Sequence, residues 1–231
     1  MTITRPLPIF DPRIAPVLSV DSHLPDVPPQ NLSPAALRQR FFQPPVWTPE
    51  RNTEKKFGDR VPALAAVLIP LVMRDELMLL LTERGVNLST HSGQIAFPGG
   101  RTDDSDTDAV HTALREADEE IGLPSGHVEI LGTLPIYVTG SAFIITPVVA
   151  LVKPGFHLQP NPAEVADVFE VPLRFLMSPA NHRRHVFESE GSQREWLSMA
   201  YTSDAPDLPK ERYIWGATAA MLRNFYRFLV A

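Results

Sequence analysis

Residues 115–123 read READEEIGL, which places Glu116, Glu119 and Glu120 within two helical turns of one another. At the ~100° step of a helix, Glu120, Glu116 and Glu119 lie roughly 60°, 100° and 160° to one side of Ala117, so all three carboxylates share a flank. Like charges at this spacing repel, and the negative end of the helix dipole adds to the cost. A divalent cation reverses that balance. Hard oxygen ligands suit Mg²⁺ or Mn²⁺, whose shell is completed by water and substrate phosphates. The bland explanation is a solvated acidic face, the commoner use of such a run. Upstream, Gly93 leads into Pro98-Gly99-Gly100, and adjacent glycines let backbone reverse tightly or approach a ligand. Neither feature is decisive alone, but a glycine turn just ahead of an acidic helix is what a cation-bridged diphosphate needs.

Holding these groups requires a helix on a sheet. Residues 107–121 read as that helix: Val110, Ala113, Leu114, Ala117 and Ile121 form one apolar stripe, and Gly122 with Pro124 ends it. An apolar run from Ala63 and a second over 76–84, about a turn at Arg74-Asp75, read as a hairpin. Further strands are predicted at 128–134, 143–152 and 165–171, with a pair at 185–188 and 195–201 around Glu190-Gly191-Ser192, and a last helix at 216–229. Strands interleaved with two main helices predict a mixed α/β sandwich rather than a doubly wound parallel sheet. Residues 60–231 are therefore expected to form one domain. Ser33-Pro34 opens a short helix to Phe42, and the rest of 32–59 is a connector. Residues 1–31 are proline-rich, which predicts an extended arm outside any sheet that could pack on the partner in a homodimer.

Composition narrows the function. The net charge of -6 and pI near 5.6 offer no global field for nucleic acid. The absence of cysteine excludes disulfides, thiolate metal sites and a cysteine nucleophile. No stretch reaches the ~20 apolar residues of a membrane helix, and prolines break the first residues before a signal core can form. The expectation is a cytoplasmic protein without membrane or nucleic-acid partners.

The segment GGRTDDSDTDAVHTALREADEEIGL resembles the Nudix box, G-x5-E-x7-REUxEExGU with U aliphatic. Arg115, Glu116, Glu119, Glu120 and Gly122 match its second half, and Ala117 and Leu123 take the U positions. Counted from Gly100, the first acid falls on Asp106 with one residue too many before Arg115, and Asp103, Asp104 and Asp106 are all available. Upstream, LLTERGVNLSTHSGQIAFPGG is similar to the coenzyme A pyrophosphatase branch, LLTxR[SA]xxxRxxxGxxxFPGG, with Gly85 for Ser/Ala and Ser89 for arginine. The resemblance implies a Nudix α/β/α sandwich with a mixed sheet and hydrolysis of coenzyme A or its derivatives to adenosine 3′,5′-bisphosphate and 4′-phosphopantetheine. It implies Mg²⁺ or Mn²⁺ on Glu116, Glu119 and Glu120, catalytic roles for Glu119, Glu120 and Arg115, and substrate contact at Gly99 and Gly100. Arg115 is expected to orient a box carboxylate by a bidentate pair rather than touch substrate. Two alternatives share the helix: hydrolysis of ADP-ribose or another nucleoside diphosphate derivative, and a silent module that binds a nucleotide or protein. The retained acidic crowding argues against the second.

Other residues are weaker candidates. Arg84 could reach phosphate, although a charged residue ending a strand more often faces solvent. Tyr137 could stack on adenine or line an acyl-pantetheine channel, or be a buried strand-end tyrosine. Glu164 is an alternative general base against the reading of a surface turn carboxylate. The run His182-Arg183-Arg184-His185 reads first as a solvated charge run and second as a 3′-phosphate site. His91 reads as a loop hydrogen-bonding residue, and Phe225, Tyr226 and Phe228 as core or dimer packing.

Overall fold

The computed structural model describes residues 11–55, 61–85, 93–189, 192–203 and 210–231. The order is β1 (Val17–Val20), α1 (Pro34–Phe42), β2 (Ala63–Met73), β3 (Leu77–Arg84), β4 (Ile95–Ala96), β5 (Gly99–Arg101), α2 (Ala109–Ile121), β6 (Val128–Thr133), β7 (Tyr137–Val138) and β8 (Phe143–Val152). It continues with β9 (Val165–Pro172), α3 (Leu173–Leu176), β10 (Arg183–Ser189), β11 (Ser192–Thr202), β12 (Glu211–Trp215) and α4 (Gly216–Val230).

Eight strands make the main sheet. Its path is β4-β3-β2-β8-β6, with β5 on β2, β7 on β8 and β9 on β3. The centre, β2 beside β8, is parallel over ten pairs from Ala63↔Phe143 to Val72↔Val152, and the other pairings are antiparallel. The sheet is therefore mixed, as expected. Strand alternation sorts its side chains between two cores. Ala66, Leu68 and Val72, with Val148, Ala150 and Val152, face Ala113, Ala117 and Ile121 of α2. Ile69, Leu71, Val149 and Leu151 face the opposite way, towards Leu222, Phe225, Tyr226 and Leu229 of α4. Truncating the fully buried Ile121 to alanine would cost about 2–5 kcal/mol.

The second sheet, β1-β10-β11-β12, corrects the expectation that residues 1–31 stand outside any sheet. Val17–Val20 pairs antiparallel with Arg183–His185. Its prolines do not prevent this, because Pro16 lies before the strand and an edge strand bonds on one side alone. Behind it, Asp21 pairs with Arg184 at 2.8 Å and with Arg223 at 3.1 Å, and Glu50 of the connector reaches the same two guanidiniums. Arg223 is 2% exposed, so this network ties the arm, the connector and α4 across the core. The arm packs on its own chain here, and Tyr226 donates to the Pro25 carbonyl at 2.6 Å. Phe225, Tyr226 and Phe228 are core residues. No described helix is long and apolar enough to cross a membrane.

Candidate active site

Helix α2 is fixed at both ends. Asp108 accepts from the His111 N–H at 2.8 Å and caps a helix that begins at Ala109, two residues later than predicted, and Gly122 ends it in the left-handed region. That phase sorts the three glutamates. The Glu120 side chain is 6% exposed and Glu116 17%, while Glu119 is 59% exposed on the solvent side. The two inner carboxylates face the glycine turn. The Gly99 N–H donates to Glu120 Oε2 at 3.1 Å. Gly99, at φ +156°, has no room for a Cβ against the Ala66 carbonyl, and a Cβ on Gly100 would overlap the Glu116 carboxylate. The turn is glycine for two reasons: one residue lies on β2, and the next makes space for Glu116.

Arg84 comes to this place rather than to open solvent. Its NH1 lies 3.8 Å from Glu120 Oε1, and its Nε is buried without a hydrogen-bond partner. Glu164 is exposed, as expected for a turn carboxylate, but topology brings it near: Gly85 donates to its carbonyl at 2.8 Å.

Geometry separates the three aspartates. Asp103 accepts from Ser105 N–H and Oγ within its own turn. Asp106 is the one turned inward: Arg115 Nε and NH2 donate to its two oxygens at 2.9 and 2.8 Å, and Thr112 Oγ1 and Asp103 N–H complete its shell. Arg115 NH1 reaches Glu116 at 3.0 Å and Glu119 at 2.9 Å, and NH2 reaches the Arg101 carbonyl at 3.1 Å. The guanidinium spends its donors on protein oxygens, as the bidentate expectation had it.

Electrostatics follows the same division. Hydrogen bonds from Arg115 hold Asp106 well below the usual carboxylate range. Burial pushes Glu120 up to about 7, with the Gly99 N–H and Arg84 opposing and Glu116 and Glu164 adding to the rise. Burial also raises Glu116, against the Arg115 bond and with help from Glu119 and Glu164. Two crowded, desolvated carboxylates thus share little positive charge: Arg115 reaches Glu116 at 3.0 Å, but the cation beside Glu120, Arg84, stands at 3.8 Å. This donor set fits a divalent ion that keeps much of its shell for water and phosphate. It does not cage one: among the described residues no three acidic or histidine side chains gather around a common point.

Two sequence readings change. Tyr137 is 1% exposed and donates to Glu54 at 2.9 Å, so its ring is closed to an incoming base. Residues 182–185 are not a solvated run: His182 and His185 are buried, and Arg184 is taken by Asp21 and Glu50, which leaves Arg183 as its exposed member. A 3′-phosphate would find the Arg184 guanidinium already neutralised. Ser89 and His91 lie outside the described residues. Thr112, which helps hold Asp106, went unnoticed because threonine inside a helix carries no signal of its own.

The NUDIX domain profile matches residues 62–205, and the chain belongs to the Nudix family. An Escherichia coli protein named "Uncharacterized Nudix hydrolase NudL" is 39% identical over 161 residues, which cover 69% of this chain and 79% of that protein. Its Citrobacter koseri counterpart is 41% identical over the same shares. Among solved structures, a C. elegans Ap4A hydrolase binary complex matches with 20% identity and a TM-score of 0.42, covering 51% of this chain and 85% of that one. The protein is a Nudix hydrolase, of a family that acts on nucleoside diphosphate derivatives and generally uses divalent metal ions.

Proposed function

We propose that this enzyme hydrolyses the diphosphate linkage of coenzyme A or its derivatives, with Mg²⁺ or Mn²⁺, to adenosine 3′,5′-bisphosphate and 4′-phosphopantetheine. The observation that carries the chemistry is the pair Glu116 and Glu120, buried against Gly99 and Gly100 with Arg84 beside them. The substrate rests on LLTER and FPGG, which lie at the spacing of the coenzyme A branch.

Glu116 and Glu120 would hold the ion from the inner face of α2, and Glu119, which is paired with Arg115 at 2.9 Å, would supply a third carboxylate from the solvent side. A bound divalent ion offsets charge on the diphosphate and acidifies water. In this reading one of the helix glutamates, Glu120 or Glu119, takes the proton of the attacking water. Arg84, whose buried Nε has no hydrogen-bond partner among the described residues, binds a phosphate oxygen of the substrate. Gly99 and Gly100 contact the substrate from the turn that faces these carboxylates. Arg115 keeps Glu116 in place and touches no substrate.

Turnover of coenzyme A, ADP-ribose, NADH, diadenosine polyphosphates and nucleoside triphosphates with each metal tests the proposal. Coenzyme A is expected to show the highest kcat/KM. Equal or better turnover of ADP-ribose would sink the substrate assignment and leave the carboxylate chemistry standing.

A further inference from the structure

The path into the glycine turn is gripped from outside the matched domain. Strand β4 pairs with β3 through Thr82↔Ala96 and Glu83↔Ile95, and its other side carries no strand among the described residues. The Gln94 carbonyl accepts from the Arg84 N–H, so the next carbonyl, Ile95, points off the sheet edge. There the hydroxyl of Thr218, in the first turn of α4, donates to it at 3.0 Å. Thr218 is 7% exposed, so the bond is shielded from water. The succeeding residues are held in turn: Thr82 Oγ1 donates to the Ala96 carbonyl at 3.2 Å, Leu68 N–H to the Pro98 carbonyl at 2.8 Å, and Gly99 N–H to Glu120. Thr218 is the member of this series that lies beyond residues 62–205.

We propose that Thr218 is a positioning residue for the active site. By satisfying the Ile95 carbonyl it fixes the course of residues 95–99, and so the direction in which the Gly99 N–H meets Glu120. Without the hydroxyl, a buried carbonyl is left unpaired and the edge strand shifts to find another donor. The inference rests on the reading that Glu120 and this turn form the active site.

The test compares full-length T218V, which keeps the shape and loses the donor, with T218S, which keeps the donor. Hydrogen–deuterium exchange across residues 94–101 is followed in the metal-free protein, and kcat and KM are measured with Mg²⁺ and the preferred diphosphate substrate. In T218V, exchange of this segment accelerates and kcat falls about tenfold, as misplaced reacting groups predict, while KM stays within about twofold. T218S restores both. T218A replaces T218V if that variant does not fold. Wild-type exchange and kcat in T218V, or an equal loss in T218S, would overturn the inference. If no diphosphate is hydrolysed at all, the proposed function fails, yet the exchange still decides whether Thr218 holds the turn.

Discussion

Arg115 and Asp106 meet through two near-parallel hydrogen bonds of 2.9 and 2.8 Å, and the same guanidinium holds Glu116 at 3.0 Å. Asp106 therefore acts on a candidate metal ligand at one remove. D106A is expected to lower metal affinity or turnover about 10–100-fold, the usual effect of losing such a supporting carboxylate. Mn²⁺ titration followed by electron paramagnetic resonance, together with kcat, checks this. Unchanged affinity and rate would show that Arg115 is held well enough by Glu116 and Glu119.

The adjacent glycines should fail differently. G99A forces a Cβ towards the Ala66 carbonyl at positive φ and costs about 1–3 kcal/mol of stability. G100A pushes the Glu116 carboxylate aside, so activity is lost with a smaller change in melting temperature. Thermal melts beside initial rates for both variants distinguish the effects. Equal destabilisation without catalytic loss in G100A would contradict the placement of Glu116.

Removing the ion and removing its ligand should agree. Chelation is expected to abolish turnover, and Mg²⁺ or Mn²⁺ to restore it. E120Q should lower kcat by roughly two to three orders of magnitude. Its metal-free melting temperature should equal or exceed that of the parent, because the amide oxygen still accepts from Gly99 and no buried charge remains. A sharp drop in melting temperature would mean that Glu120 is chiefly structural.

His182 supplies a pH test away from the site. Its Nε2 lies 2.8 Å from the Leu176 carbonyl and its Nδ1 2.9 Å from Arg223, so the neutral ring donates at one nitrogen and accepts at the other. Burial pushes it down to about 4; Arg223 acts in the same direction, against the Leu176 bond, Asp21 and Glu50. A folded value below the unfolded 6.5 means that its contribution is complete above that pH and is lost as pH falls towards 4. The loss between pH 7 and pH 5 is on the order of 2 kcal/mol. Urea unfolding of H182Q at both pH values should show a smaller difference than the parent; an identical difference would refute the assignment.

Much of this arrangement was legible where local signals agreed. Helix α2 carries an apolar stripe and a glycine stop, and the spacing of READEE alone places its acids on one flank. The parts that stayed hidden depend on distant chain. Nothing near Arg84 says that Glu120 will lie beside it, and nothing near Tyr137 says that Glu54 will take its hydroxyl. Three aspartates within four residues cannot be ranked until Arg115 folds onto one of them. Strand β5 was concealed because Gly99-Gly100-Arg101 reads as a turn, yet it pairs with Ala65–Val67 of β2. Strand β1 was missed because proline density outweighed the four residues VLSV.

The parallel pairing of β2 with β8 also governs the order of assembly. Residues 63 and 143 must meet before ten rungs can form, and the loop they close contains the glycine turn and the whole of α2. Such non-local closure is slow relative to the formation of a single helix. The carboxylate helix can thus form early, while the surface that gives Glu116 and Glu120 their burial arrives only with the central rungs. The burial that sets Glu116 and Glu120 apart from Glu119 is therefore tied to the closure of β2 on β8.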